Sequence, residues 1–174
     1  MTTGRFVSVT TGIPFTDTKR LNEACGIAFH AFKTHEPSSA FVYEMINAYG
    51  GVYGFYAKFH LSAVCPLGFT IASKNGKQVN FNYYNSRELT DAVYPFILES
   101  LKKQIAFGID TSVCYCLGTG KNELFLRRLN EKYNLFNQIM ALEHPRFIMQ
   151  YRARHKQKYI SRYIEAFREV KSEK

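Results

Sequence analysis

Two kinds of apolar pattern alternate along this chain, and together they predict an α/β protein. Apolar residues at helical spacing mark "AFVYEMINAYG", which Ser38 and Ser39 can cap and Gly50 and Gly51 end. They also mark the long stretch "RELTDAVYPFILESLKKQIAFG" after Ser86, with Pro95 as a point for a kink and Gly108 as its end. "ELFLRRLNEKY" predicts a third helix, and the tail from about Gln150 a last one. Short continuous apolar runs fall between them. "FHLSAVCPLGF" reads as a buried strand that stops at Pro66, "SVCYCLG" as a second and "QIMALEH" as a third. "TTGIPFTD" reads as loop, and "SKNGKQVNFNYYN" as a polar excursion turning at Asn75-Gly76. Strands alternating with helices predict a mostly parallel sheet between helices, whose working groups gather at the carboxyl ends of the strands. Three such ends are marked: Cys65-Pro66, Gly118-Thr119-Gly120 and Glu143-His144-Pro145.

Composition narrows the picture. With 174 residues, 46% hydrophobic and 21% charged, the chain predicts a single domain, 1–174, with one substantial core. Its longest apolar runs are far shorter than the ~20 residues of a membrane helix, and its start lacks the plan of a signal peptide, so the expectation is a cytoplasmic protein with no membrane partner. Cys25, Cys65, Cys114 and Cys116 form no CxxC pair, which favours free thiols over disulfides or zinc ligands. Cys25, His30 and His35 match the spacing of no compact zinc module, so no metal is expected.

Charge adds a direction. The net charge is +9, and from Pro145 onward nine basic residues stand against three acidic ones, a local excess of six. A solvated helix face explains most charge runs. Here one sign is interleaved with Tyr151, His155, Tyr159 and Tyr163, which suits a polyanion and makes nucleic acid the expected partner.

"GTGKN" invites comparison with the phosphate loop GxxxxGK[ST], but Tyr115 stands where the first Gly is required and Asn122 where Ser or Thr is. The turn still offers backbone N–H groups and Lys121 at a helix start, a setting for one phosphate of a polymer; close strand-helix packing explains the glycines as well.

"TGIPF" in a Gly-rich loop, "VCPLGF" ending a middle segment and "LEHPRFIMQYR" leaving a strand, in that order, resemble the single-strand-selective monofunctional branch of the uracil-DNA glycosylase superfamily, in its bacterial second subgroup. The resemblance covers nearly the whole chain. It implies a three-layer α/β/α sandwich that flips a damaged pyrimidine nucleotide out of DNA and hydrolyses its N-glycosidic bond as a monomer, without metal or cofactor. Bond breaking leaves negative charge on the base, so a preorganised donor is needed at its O2, and by its match His144 is that donor. Phe15 corresponds to the aromatic on which the extruded base stacks, and Gly4 to a loop that lets backbone approach it. Arg146 and the residues after it match the loop that grips the strand. Arg152, Arg154, Lys156 and Lys158 on the basic helix, with Gly118, Gly120 and Lys121, are the expected phosphate contacts.

The chain departs from the family pattern twice. The family's first motif, roughly Gly-Met-Asn-Pro-Gly after a core strand, carries an Asn that positions water; here Thr2 stands at that place and no strand precedes it. The expectation is therefore a shortened member whose first strand is missing, with a neighbouring strand edge unpaired and apolar surface uncovered. Vertebrate-type members also pair an Asn with the uracil edge two residues before Cys-Pro; here Ala63 occupies that position beside Ser62, and Asn80, Asn82 or Asn85 could approach instead. Three readings follow: an active glycosylase, a non-catalytic DNA-binding relative, or an inactive fragment of such an enzyme.

Overall fold

The computed structural model describes residues 11–30 and 34–169. The elements run α1 (Thr18–Glu23), α2 (Pro37–Tyr49), α3 (Gly51–Tyr56), β1 (Phe69–Ala72), β2 (Gln78–Phe81), α4 (Arg87–Ala106), β3 (Val113–Leu117), α5 (Lys121–Tyr133), β4 (Gln138–Leu142), α6 (Pro145–Tyr151) and α7 (Lys156–Glu169). Single 3₁₀ turns, Tyr83–Asn85 and Ala153–His155, lead into α4 and α7.

β3 and β4 form a parallel pair joined through α5, with Val113 opposite Gln138 and Leu117 opposite Leu142. Alternation along both strands sorts side chains into two cores. Tyr115, Leu117, Met140 and Leu142 face a layer built from α2, α6 and α7, where Phe41, Ile46, Ile148 and Tyr163 are fully buried. Cys114, Cys116 and Ile139 face the opposite layer, where Ile97 of α4 and Leu126 and Leu129 of α5 are buried. Helices on both faces of a parallel pair give the α/β/α layering that the family resemblance implies. The expected Asn-Gly turn is also present: β1 and β2 pair antiparallel, with Gly76 at φ 73° in the turn.

The structure corrects three boundaries. "FHLSAVCPLGF" forms no strand before Phe69. A strand exists only through pairing. A cavity of about 520 Å³ lies along Ser112–Leu117 and also borders Lys58–Val64, and in this run only Cys65 makes an isolated bridge. Among the described residues β3 is paired with a strand on one edge only, that of β4. Second, α2 begins at Pro37 with Glu36 as its cap residue, because proline presets the first helical φ; Ser38 and Ser39 lie inside the helix, buried. Third, the tail is two helices, the first starting directly after His144.

Candidate active site

The level register of β3 and β4 delivers Gly118 and the Glu143-His144 segment side by side at one end of the sheet. Gly118 N–H donates to the Leu142 carbonyl at 2.7 Å and to Cys116 O at 3.0 Å, binding the two chain exits together. Gly118 has φ 139°, a conformation side chains rarely adopt, and a Cβ there would meet His144 Cδ2 at 3.3 Å. The imidazole therefore rests on the bare glycine.

His144 is the cap residue of α6, with Pro145 first in the helix. Its Nδ1 accepts the Arg146 backbone N–H at 2.9 Å, so in the neutral ring the proton sits on Nε2. Burial is the main cause that lowers its pKa to about 4, and the Arg146 charge adds to it. At neutral pH this residue is an uncharged imidazole with one donor, Nε2–H. The preceding carbonyl, Glu143 O, accepts from the hydroxyl of buried Tyr163, and Arg162 holds the Glu143 carboxylate at 2.9 Å.

Phe15 meets the His144 ring edge-on, with centroids 5.7 Å apart. It is buried and sits at φ 54°, a left-handed conformation costing an aromatic residue ~1–3 kcal/mol. The turn around it is tied down: Thr11 Oγ1 donates to Thr16 O at 2.6 Å, and Thr16 Oγ1 pairs with Tyr43 OH at 3.0 Å. Fully buried Asp17 accepts from Arg20 N and from Glu36 N, and its carboxylate pairs with the Arg20 guanidinium at 2.9 Å. Burial raises the Glu36 pKa while the Arg146 charge lowers it, so this loop and α6 share one electrostatic neighbourhood.

Phe15 also lines the 520 Å³ cavity, with Ser62, Ala63, Leu117 and Asn122. His144 is not one of its lining residues; it touches the cavity wall through Phe15. Ser62 Oγ donates to Gln104 Oε1 at 2.5 Å, and Ala63 is buried. Asn82 and Asn85 flank Tyr83, while Asn80 is on β2; none of the three lines the cavity.

The basic residues divide. Arg146, Arg152, Arg154 and Lys158 are exposed, whereas Lys156 Nζ is held at 2.6 Å by Glu44 of α2. Arg152 lies over the exposed Phe147 ring at 5.8 Å, and Phe147 is 5.5 Å from exposed Tyr151. Gly120 caps α5 and Lys121 opens it, both exposed. Thr2 and Gly4 lie outside the described residues. Burial raises the thiol pKa values, Cys114 to about 12, so Cys65, Cys114 and Cys116 are not activated nucleophiles. Among the described residues no three His, Cys, Asp or Glu cluster as metal ligands, and no helix is long and apolar enough to cross a membrane. Gly118's role under the imidazole, the Tyr163 bond and Asn122 in the cavity wall are not evident from sequence, where "GTGKN" reads equally as a phosphate turn and as a turn for close strand-helix packing.

The family model described as the Uracil DNA glycosylase superfamily matches residues 3–168. The chain belongs to this superfamily. The crystal structure of wild-type Pedobacter heparinus SMUG2 superposes with a TM-score of 0.94 at 54% identity, over 99% of this chain and 74% of that one. A comparison with curated proteins found no match. Superfamily membership gives the chain the α/β fold of a DNA glycosylase, and places His144 and Phe15 in a fold that acts on DNA.

Proposed function

We propose that this glycosylase releases uracil or a related damaged pyrimidine from DNA by hydrolysis, with His144 as the donor to the departing base. The observation that carries this reading is the Nδ1 bond to Arg146 N–H. It fixes the tautomer, holds the ring on Gly118 and leaves Nε2–H as a rigid donor. As the C1′–N bond breaks, its electron pair moves onto the base, and charge grows on the base O2. A neutral donor already in place stabilises that charge without reorganisation, a contribution of roughly 3–4 kcal/mol for one such bond. Water attacks the oxocarbenium-like sugar and loses its proton to solvent. In the sequence, Thr2 stands at the place of the family's water-positioning residue and Gly4 matches the family motif whose backbone approaches the base.

Phe15 offers the stacking partner for the extruded base, offsetting an unstacking cost of a few kcal/mol. Arg146, Arg152, Arg154 and Lys158, with Lys121 at the start of α5, neutralise phosphates. Gly118 serves the imidazole more directly than the backbone of DNA. The protein acts in the cytoplasm, as a monomer and without metal. The test is incubation with uracil-containing single- and double-stranded oligonucleotides followed by alkali. Strand cleavage supports the reading, and salt-sensitive binding by folded protein without cleavage leaves the non-catalytic DNA-binding alternative.

A further inference from the structure

We infer that Tyr43 is a positioning residue for base release: its hydroxyl, acting through Thr16, holds Phe15 in the backbone conformation that sets its ring beside His144. This rests on the reading that the extruded base stacks on Phe15. Phe15 has φ 54°, which an aromatic residue keeps only where its surroundings over-determine it. Behind it, the Pro14 carbonyl accepts from Thr16 Oγ1 at 3.3 Å; ahead of it, Thr16 N–H donates to Ile13 O at 3.2 Å. Thr16 thus holds the peptides on both sides of Phe15.

Thr16 is fully buried, and its hydroxyl has a single proton. With that proton on Pro14 O, Thr16 Oγ1 accepts from Tyr43 OH, 3.0 Å away. The phenol proton is then committed to Thr16, and Cys25 Sγ, 3.2 Å from the phenol oxygen, stands on its accepting side. The bonds run one way, from Cys25 through Tyr43 and Thr16 to the peptide that precedes Phe15. Burial raises the phenol's pKa, and the Cys25 bond adds to this, so at neutral pH Tyr43 keeps the proton it donates.

Tyr43 can impose this order because it is anchored. It lies in the middle of α2, buried, among fully buried Phe41, Val42, Met45 and Ile46, and Phe15 belongs to the same core. Without the phenol bond the Thr16 hydroxyl is free to turn, and the Pro14 carbonyl loses its hold. Phe15 then relaxes toward a negative φ, and its ring leaves its place 5.7 Å from the imidazole. The supports of His144, Gly118 and the Arg146 N–H, belong to other elements. Loss of Tyr43 OH therefore takes away the stacking face and leaves the donor.

The experiment has two readouts: single-turnover release of uracil, and the preference for DNA carrying a sugar-fluorinated deoxyuridine over the same DNA carrying deoxycytidine. Tyr43→Phe should slow release about tenfold and narrow the preference, with affinity for the deoxycytidine DNA unchanged. Thr16→Val should do at least as much, and Thr16→Ser, which restores the hydroxyl, should recover most of that loss. The double variant Tyr43→Phe, Thr16→Val should lose no more than Thr16→Val alone, because both cut one chain of bonds. Ser39→Ala removes another buried hydroxyl of α2, one without a hydrogen-bond partner among the described residues, and should leave both readouts at the wild-type level. Where a variant unfolds without cooperativity, the contrast between Thr16→Ser and Thr16→Val decides. Wild-type values in Tyr43→Phe, fully additive losses in the double variant, or an equal slowing in Ser39→Ala overturn the inference while Phe15→Ala still loses release and preference. Unaltered release and preference in Phe15→Ala, or a wild type with neither, overturn the site reading instead.

Discussion

The imidazole of His144 lies on Gly118: a Cβ at that glycine would stand 3.3 Å from His144 Cδ2 and 3.6 Å from its Cβ. These two residues leave adjacent parallel strands, and the Gly118 N–H bond to Leu142 O locks their relative height. The floor under the ring is therefore sheet backbone. Gly118→Ala should displace the ring and strain a backbone at φ 139°, costing roughly 1–3 kcal/mol of stability. The rate of base release should fall more than substrate affinity does, because a misplaced donor acts in the transition state; single-turnover kinetics beside a binding isotherm separates the two.

Protonation of His144 provides a second prediction. Its folded-state pKa of about 4 lies below the ordinary 6.5 because burial disfavours the charged ring, so the unfolded chain binds a proton that the folded one refuses. Stability is thus fully present above about pH 6.5 and is lost as pH falls toward 4, an effect of order 1–3 kcal/mol. Urea unfolding at several pH values should show this slope in the wild type and a shallower one in His144→Asn.

Tyr163 holds the peptide that precedes the imidazole, through its hydroxyl bond to Glu143 O. Tyr163→Phe keeps the buried ring and removes only that bond, at about 1 kcal/mol of stability. The Arg162 contact to the Glu143 side chain remains, so the strand end loosens without detaching. Base release should slow by about tenfold or less, and chemical denaturation together with kinetics on the same sample measures both effects.

The basic residues should separate in salt titrations. Replacing Arg146, Arg152, Arg154 and Lys158 by Ala should make DNA affinity less dependent on salt, by about 0.7–0.9 in log-log slope for each phosphate that is no longer neutralised. Lys156→Ala should change the slope less, because its ammonium is committed to Glu44, and should lower thermal stability instead.

Much of this arrangement was legible in the sequence wherever a local rule governed it. The runs ending at Leu117 and Leu142 became the parallel pair, the Asn75-Gly76 turn became a hairpin, and Ser86 caps α4 through its bond to Leu89 N–H. His144 and Phe15 do meet. What failed were features set by distant partners. The apolar run around Val64 reads as strand, yet it borders a cavity and is reduced to a single bridge at Cys65. Tyr163 is 20 positions from the carbonyl it holds, and Asn122 is 39 from Tyr83, separations at which no spacing rule operates. Gly118 reads from sequence as part of a phosphate or packing turn, because the neighbour that uses it, His144, leaves the next strand.

The neutral Nε2–H donor is tested most directly by nitrogen NMR of the His144 ring, with and without DNA carrying a deoxyuridine fluorinated on its sugar so that the bond survives. At neutral pH the ring should be uncharged, with Nδ1 bare and Nε2 protonated, and the Nε2–H signal should shift when the DNA binds. An imidazolium, a proton on Nδ1, or a ring signal indifferent to the DNA would contradict the account.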